Sequence, residues 1–270
     1  MAFSLGPRAI SVGYRLAAFD QIGSTNTEAI SCARAGVSGP MWFVTSEQTA
    51  GRGRRHRPWI APRGNLAASV LEVIDVSPSV AATLGFAAGL ALEAALRKVS
   101  IDTSLRLAGS DQMKFFLKWP NDVLAGQQKL AGILLEAEAV AGSRLAVVIG
   151  IGTNVVAAPE GTAMPATSLA ALGVRISAEE LFTELSDAWA ELCGIWDNGR
   201  GFGEIRQRWL ARAAGLGGKV AIHTGGAILE GTFDTLDEAG CMIVRTAEGR
   251  RVPIAAGDVY FGEAASAGAI

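Results

Sequence analysis

Histidine and cysteine are scarce in this chain. Its two histidines, His56 and His223, are too few for a His-rich metal site. Cys32, Cys193 and Cys241 are far apart and lack metal-ligand spacing. They suggest neither a disulfide scaffold nor a cysteine-held metal, and free thiols in a reducing cytoplasm are expected. Net charge is lacking too: 24 Lys+Arg stand against 26 Asp+Glu, a formal charge of -2. A chain so balanced is not a polyanion binder as a whole, so no nucleic-acid partner is expected. No internal repeat or low-complexity tract is evident. Residues 1–12 hold no long apolar core, which argues against a secretory leader. The uncharged stretch at 76–92 is shorter than the ~20 residues that span a bilayer. It is rich in Ala and Gly and runs into Glu93, Arg97 and Lys98. It reads as a buried helix, and no membrane partner is expected.

What remains is ample for a core. Half of the 270 residues are hydrophobic, and the length allows one large domain or two unequal ones. Residues 14–19 read as a first strand, and Ser24, Thr25 or Asn26 can cap a helix running to about Arg34. Apolar, β-forming strands follow at 41–46 and 65–73. Ser77 before Pro78 starts a long apolar helix expected to reach about Val99. A short strand at 115–119 is stopped by Pro120. Residues 123–124, a turn at Gly126 and residues 129–139 read as a hairpin. A further strand at 144–149 is expected to end in a turn at 150–154, with Gly150, Gly152 and Asn154 in that turn. Helical spacing returns at 177–196 and 202–213, burying Trp189, Trp196 and Trp209. Gly215, Gly217 and Gly218 then mark a boundary. Beyond it the period changes to short strands at 220–222, 227–236, 241–245, 251–254 and 259–261. The expected fold is α+β. Residues 1–214 form a mixed, mostly antiparallel sheet with packed helices, and residues 215–270 a small β-barrel.

Positive charge is concentrated in one place. Gly51-Arg52-Gly53-Arg54-Arg55-His56-Arg57 holds four of the five Lys+Arg that lie between Arg52 and Arg63. No acidic residue stands between Thr49 and Asn65 to neutralise them. Gly51 and Gly53 lack a Cβ, so the backbone is free to take positive φ or to approach a ligand closely. Guanidinium groups suit phosphate and carboxylate oxygens. Such a loop is fit to close over an anion.

Around it stand Gly-Ser-Thr-Asn at 23–26, Glu-Gln-Thr-Ala at 47–50, Lys-Trp-Pro-Asn-Asp at 118–122, Lys-Leu-Ala-Gly-Ile-Leu at 129–134 and Gly-Ile-Gly-Thr-Asn at 150–154. Taken in this order, with Lys118 and Lys129 at the matching spacing, these segments resemble the biotin protein ligases over residues 16–262. The resemblance implies a class II synthetase-like catalytic domain and a C-terminal SH3-like domain. It also implies the short form of the family, without an N-terminal DNA-binding domain. The implied reaction has two steps: biotin attacks ATP to give biotinyl-5′-AMP and pyrophosphate, and a lysine of a biotin carboxyl carrier protein then displaces AMP. Charge must be stabilised on the phosphorus oxygens, and water must be kept from the anhydride.

By the same resemblance, Lys129 and Arg54 are the catalytic candidates. Ser24, Thr25, Asn26, Gln48, Arg52, Gly53, Arg54, Lys129, Gly132 and Gly152 bind biotin. Arg55, Arg57, Trp59, Lys118, Asn121 and Asn154 face ATP or the adenylate, and Asp122 is a candidate Mg²⁺ ligand. Read without the resemblance, several of these residues have ordinary roles. Ser-Thr-Asn before a helix is normal capping, Pro-Asn-Asp makes a turn, and Lys after Gly-Gln-Gln ends a hairpin. Two departures stand out. His56 occupies a place where the family has Gly, from which altered loop closure and modestly altered catalysis are expected. Thr153 replaces a common aliphatic residue, with little effect expected. The polar insert at 109–116 has no functional account. A homodimer is left open, with the strand near Arg144 as a candidate for pairing across subunits. Lipoate or octanoate protein ligation, on the same fold, is the near alternative, and a nucleic-acid-binding regulatory protein is the distant one.

Overall fold

The computed structural model describes residues 2–106, 114–162, 164–224 and 227–261. Most of the polar insert at 109–116 lies outside them, as does the side chain of His56. The larger of two sheets holds β1 (Arg15–Phe19), β2 (Met41–Thr45), β3 (Leu66–Ile74), β4 (Phe115–Lys118), β5 (Asp122–Ala125), β6 (Gln128–Val140) and β7 (Arg144–Thr153). Their spatial order is β1-β2-β3-β7-β6-β5-β4. β1 and β2 run parallel, and every other neighbouring pair is antiparallel. The helices are α1 (Pro7–Ser11), α2 (Thr25–Arg34), α3 (Pro78–Ala82), α4 (Leu84–Arg106), α5 (Ala178–Trp196) and α6 (Phe202–Leu210).

Alternate residues of a strand take opposite faces of the sheet. On β7, Val147, Ile149 and Ile151 join the main core. They share it with Trp42 and Val44 of β2, Leu84, Leu92 and Leu96 of α4, Trp189 and Trp196 of α5, and Trp209 of α6. Ala146 and Val148 turn to the other face and pack, with Phe43 and Leu71, under Ala29 and Ala33 of α2. The next two positions on that face are Gly150 and Gly152, where the strand carries no side chain.

Several expectations need correction here. The turn expected at 150–154 is instead the end of β7, since Gly150 and Gly152 are hydrogen-bonded strand residues between β3 and β6. These glycines serve close approach, not chain reversal. The strand near Arg144 cannot pair across subunits by its edge, because β3 and β6 occupy both of its sides; the edge strands are β1 and β4, and Leu117 of β4 is itself bridged to Ala213. The single helix expected from Ser77 to about Val99 is two helices, and the second runs on to Arg106. The break is at Thr83, whose Oγ1 donates to Val80 O at 2.6 Å and accepts from Trp196 Nε1 at 2.7 Å. Such local bonding competes with a continuous α-ladder. The helical segment expected at 202–213 ends at Leu210, and α1 was not foreseen.

The second sheet is antiparallel and SH3-like, with β8 (Lys219–Thr224), β9 (Ala227–Leu236), β10 (Met242–Arg245), β11 (Arg251–Ile254) and β12 (Asp258–Phe261). Its order is β11-β10-β9-β8-β12, so β11 and β12 form its edges. Ile222, Phe233, Met242 and Val244 of this sheet belong to the main core. Trp119 Nε1 donates to Gly240 O at 3.1 Å, and a Cβ on Gly240 would meet the Phe86 ring at 2.6 Å. The turn between β9 and β10 is therefore packed against α4 and the end of β4.

Candidate active site

A cavity of about 1300 Å³ opens on the bare part of the large sheet. The register explains what faces it. Reading across neighbouring strands, Ala67 of β3 pairs with Gly152 of β7, Gly152 with Gly132 of β6, Gly132 with Asp122 of β5, and Asp122 with Lys118 of β4. One row thus runs from a floor of small residues to a carboxylate and an ammonium. Lys129 should fall on the opposite face by simple alternation. It does not, because the β5–β6 register skips Leu130. Leu130 and Ala131 both enter the main core, and the irregularity turns Lys129 into the cavity. A β-bulge re-aims a side chain in this way.

The polar end of the cavity is built where α2 begins. Ser24 Oγ caps the helix by accepting from Thr27 N. Gln48 Oε1 accepts from Thr25 N at 2.8 Å and Thr25 Oγ1 at 3.1 Å, leaving Gln48 Nε2 as a donor toward the cavity. Ser69 Oγ lies 2.7 Å from Thr25 Oγ1 and 2.6 Å from Asn26 Oδ1, and its single proton serves one of them at a time. Asn26 Nδ2 donates to Glu136 Oε2 at 2.8 Å. The buried polar groups are tied into one chain, which fixes their orientation. Asn26 stands on Gly150, where a Cβ would lie 2.1 Å from its Oδ1.

The arginine loop folds back on itself, with Arg52 bridged to Pro58 and Gly53 N donating to Arg57 O at 2.7 Å. The residue with positive φ is Arg55, at 54°, rather than Gly51, Gly53 or His56. Gly51 is needed for close approach, since a Cβ there would lie 2.4 Å from Trp59 O. Arg52 pairs with Glu136 at 2.9 Å, and Arg55 and Arg57 share Asp258 at 2.7 and 3.0 Å. Arg54 instead donates to the neutral amide of Asn121, Nη1 to Oδ1, at 3.0 Å. Burial pushes the Arg54 guanidinium pKa down, with Asp258 opposing it. Of the four loop arginines, Arg54 is the one set into the cavity without a carboxylate partner.

Trp59 ends the loop and lays its indole on the glycine floor. A Cβ on Gly152 would lie 2.5 Å from Trp59 Nε1, and one on Gly132 would lie 3.2 Å from its Cζ3. Trp59 Nε1 is buried without a hydrogen-bond partner, as is Asn154 Oδ1, while Asn154 Nδ2 donates to Thr167 O at 3.0 Å. Lys129 Nζ sits 5.7 Å from the Trp59 ring centre and 2.7 Å from Asp122 Oδ1. The latter contact is an ion pair without hydrogen-bond alignment, so this buried oxygen keeps acceptor capacity. Lys118 Nζ touches Met164 Sδ at 3.3 Å and lies near the rings of Tyr260 and Phe261. Burial pushes its pKa down, partly offset by Asp122.

Among the described residues, no three His, Cys, Asp or Glu side chains gather as a metal cluster. Asp122, with its under-used oxygen, could offer one carboxylate ligand. That fits a hard divalent cation brought in on phosphates, which needs few protein ligands, and does not fit a protein-held metal.

All of the residues assigned a catalytic, biotin, adenylate or Mg²⁺ role from the sequence line this one cavity except Arg55, which is drawn to Asp258. Four contributors were missed: Ser69, Glu136, Asp258 and Tyr260. Ser69 and Glu136 are polar positions in apolar strands, a signal legible once the pocket face is known. Nothing local marks Asp258 or Tyr260. The arrangement can hold a neutral polar ring at one end and an anion at the other, with ammonium and guanidinium groups between.

Two family models match the chain. The biotin/lipoate A/B protein ligase family covers residues 18–154, and the biotin protein ligase C terminal domain covers residues 215–262. The chain is 39% identical to a biotin–[acetyl-CoA-carboxylase] ligase of Paracoccus denitrificans, over 88% of this chain and 97% of that one. It is 34% identical to the ligase of the same name from Mycobacterium tuberculosis, over 88% and 86%. Among solved structures, the biotin protein ligase of Aquifex aeolicus in complex with biotin and ATP superposes with a TM-score of 0.74 at 25% identity, covering 92% of this chain and 99% of that one.

Proposed function

Because this chain belongs to the biotin/lipoate A/B protein ligase family, we propose that it attaches biotin, at the expense of ATP, to a lysine of the biotin carboxyl carrier of acetyl-CoA carboxylase. A biotin carboxylate oxygen attacks the α-phosphorus, and the bond to the β-phosphate oxygen breaks, releasing pyrophosphate. The carrier amine then attacks the acyl carbon of biotinyl-5′-AMP. The bond to the phosphate oxygen breaks, AMP leaves, and the nitrogen loses a proton.

The polar chain of Thr25, Asn26 and Gln48 gives the ureido ring donors and acceptors, with Gln48 Nε2 as a free donor. The aliphatic tail lies along the floor of Gly132 and Gly152 beside Trp59. Lys129 meets two anions, the biotin carboxylate and the α-phosphate, and offsets their repulsion with a compact charge. Arg54, lacking a carboxylate partner, is available to the same oxygens. Lys118, Asn121, Asn154 and Arg57 face the nucleotide. Asn154 Oδ1 is an acceptor suited to an exocyclic amine. Mg²⁺ would be held by Asp122 together with the triphosphate, and it would supply charge neutralisation there. Residues 1–214 carry this chemistry, and 215–270 close one side of it through Asp258 and Tyr260. The setting is the cytoplasm, in keeping with three free thiols. Neither nucleic acid nor membrane takes part in this reading, in which Arg52, Arg55 and Arg57 are engaged by the chain's own carboxylates Glu136 and Asp258.

The observation that carries this reading is a single row joining a bare glycine floor to Asp122 and Lys118, with Lys129 turned into it by a bulge. Lys129→Ala is expected to abolish biotin-dependent ATP–pyrophosphate exchange while leaving the circular dichroism spectrum unchanged. Wild-type exchange in that variant refutes the assignment. The polar bed favours biotin over lipoate, whose dithiolane has no use for it. A thermal shift with lipoate but not with biotin would reverse that preference.

A further inference from the structure

Glu136 stands at a junction between the polar bed and the arginine loop. Its Oε2 accepts from Asn26 Nδ2 at 2.8 Å and from Arg52 Nη2 at 2.9 Å. Asn26 belongs to the first turn of α2 and forms the polar bed, while Arg52 opens the arginine loop. We infer that Glu136 is a positioning residue that couples the biotin bed to the arginine loop. The inference rests on the biotin-ligase reading and adds to it a residue outside the five motifs.

The amide of Asn26 lies between Ser69 and Glu136. Its two ends are chemically opposite, and either could face Ser69. Two groups that accept and cannot donate choose between them, the Leu134 carbonyl at 3.4 Å and the Glu136 carboxylate at 2.8 Å, of which Glu136 is the nearer and the charged one. Nδ2 is drawn to Glu136, so Oδ1 must face Ser69. That choice passes through Ser69 to the hydroxyl of Thr25 and stops there, because the Thr25 backbone N–H by itself holds Gln48 Oε1 inward.

The second bond fixes the loop. Arg52 is part-exposed, and without a partner its side chain would be free to sample many rotamers. Paired with Glu136, it ties the entrance of the loop to the carboxylate that also holds Asn26. Both bonds end on one oxygen atom, so neither can change without altering the other. A ligand that shifts Asn26 alters the hold on Arg52, and an anion that draws Arg52 away leaves Glu136 wholly to Asn26. Glu136 itself is set on β6 opposite Val148, four residues beyond the floor glycine Gly132, and is not placed to touch reacting atoms.

The test is a double-mutant cycle on the biotin KM of pyrophosphate exchange, with Asn26→Ala, Arg52→Ala and the pair. In the otherwise wild-type chain, the double variant is expected to depart from the product of the single effects by about threefold or more. In a Glu136→Ala background, the effects should multiply to within about twofold. Glu136→Gln keeps the shape and an acceptor oxygen while losing the charge, so it should raise the biotin KM by roughly tenfold. Its kcat for carrier transfer should change little. Should Glu136→Ala fail to fold, the Glu136→Gln background serves for the same comparison, with the coupling reduced. A merely structural Glu136 would lower stability and kcat together and leave the coupling untouched. Coupling that survives in both backgrounds, or is missing from the wild-type chain, overturns the inference while biotin ligation stands. No exchange by the wild-type chain overturns the function and the inference together.

Discussion

Gly150→Ala adds one methyl group to the face of β7 that carries Asn26. The new carbon would lie 2.1 Å from Asn26 Oδ1, 2.9 Å from its Cγ and 3.1 Å from its Nδ2. The strand cannot retreat, because Gly150 is paired with Ser69 on one side and Leu134 on the other. Asn26 must therefore leave, breaking its contact with Ser69 and its charge-assisted bond to Glu136. Losing a hydrogen bond to a charged group costs about 1.5–3 kcal/mol. Replacing glycine by alanine in a strand returns roughly 0.5–1 kcal/mol. The net loss of folding stability is then about 1–2 kcal/mol, a melting point lower by roughly 2–8 °C for a chain of this size. Binding should suffer more, because the displaced amide belongs to the ligand bed. Biotin affinity, by titration calorimetry, is expected to fall by about ten- to a hundredfold. Affinity within twofold of wild type would show that Asn26 and Gly150 do not shape the pocket and that the bare strand face is not needed for the ligand.

Three further outcomes follow from groups outside the bed. Thr153 Oγ1 is fully buried on the core face of β7 without a hydrogen-bond partner, so Thr153→Val should stabilise the protein by about 1–2 kcal/mol; an unchanged or lower midpoint in urea would contradict this. Glu72 is buried beside Tyr14, Trp189 and Cys193, and burial pushes its pKa up from 4.5 to about 7, against the bonds from Tyr14 and Trp189. The folded state then holds a proton that the unfolded state has lost, so stability should fall by on the order of 3 kcal/mol as pH rises from about 4.5 to about 7 and level off above that. Glu72→Gln should flatten this slope, and equal slopes in urea titrations would refute it. Asp258→Asn removes the partner of Arg55 and Arg57, both part-exposed. The melting point should hardly move, while trypsin should cut the arginine loop several-fold faster; equal cleavage would mean the ion pairs do not hold the loop.

The sequence made the strands and most helices of this fold legible, because their apolar periods are regular. Trp189, Trp196 and Trp209 are buried as their spacing implied. The misreadings share one cause. Gly150 and Gly152 look like turn residues to any local rule, and only their partners on β3 and β6 show that they are there to leave space. Thr83 breaks a helix through a bond to Trp196, more than a hundred residues away in sequence. The loop glycines suggested positive φ, yet Arg55 takes it, stabilised by a carboxylate on the other sheet. In the site, the motif residues were found because they are clustered in the chain. Ser69, Glu136 and Asp258 were not, because each is a single polar residue whose role depends on register or on packing between sheets.

Asp258 and Tyr260 line the same cavity as Ser24. On the ribosome, a nascent chain therefore has Arg52 held by Glu136 but Arg55 and Arg57 without their anchor until β12 has emerged. Any chain released before that point is left with a half-anchored loop over a pocket open on one side, poorly suited to retaining a reactive acyl adenylate.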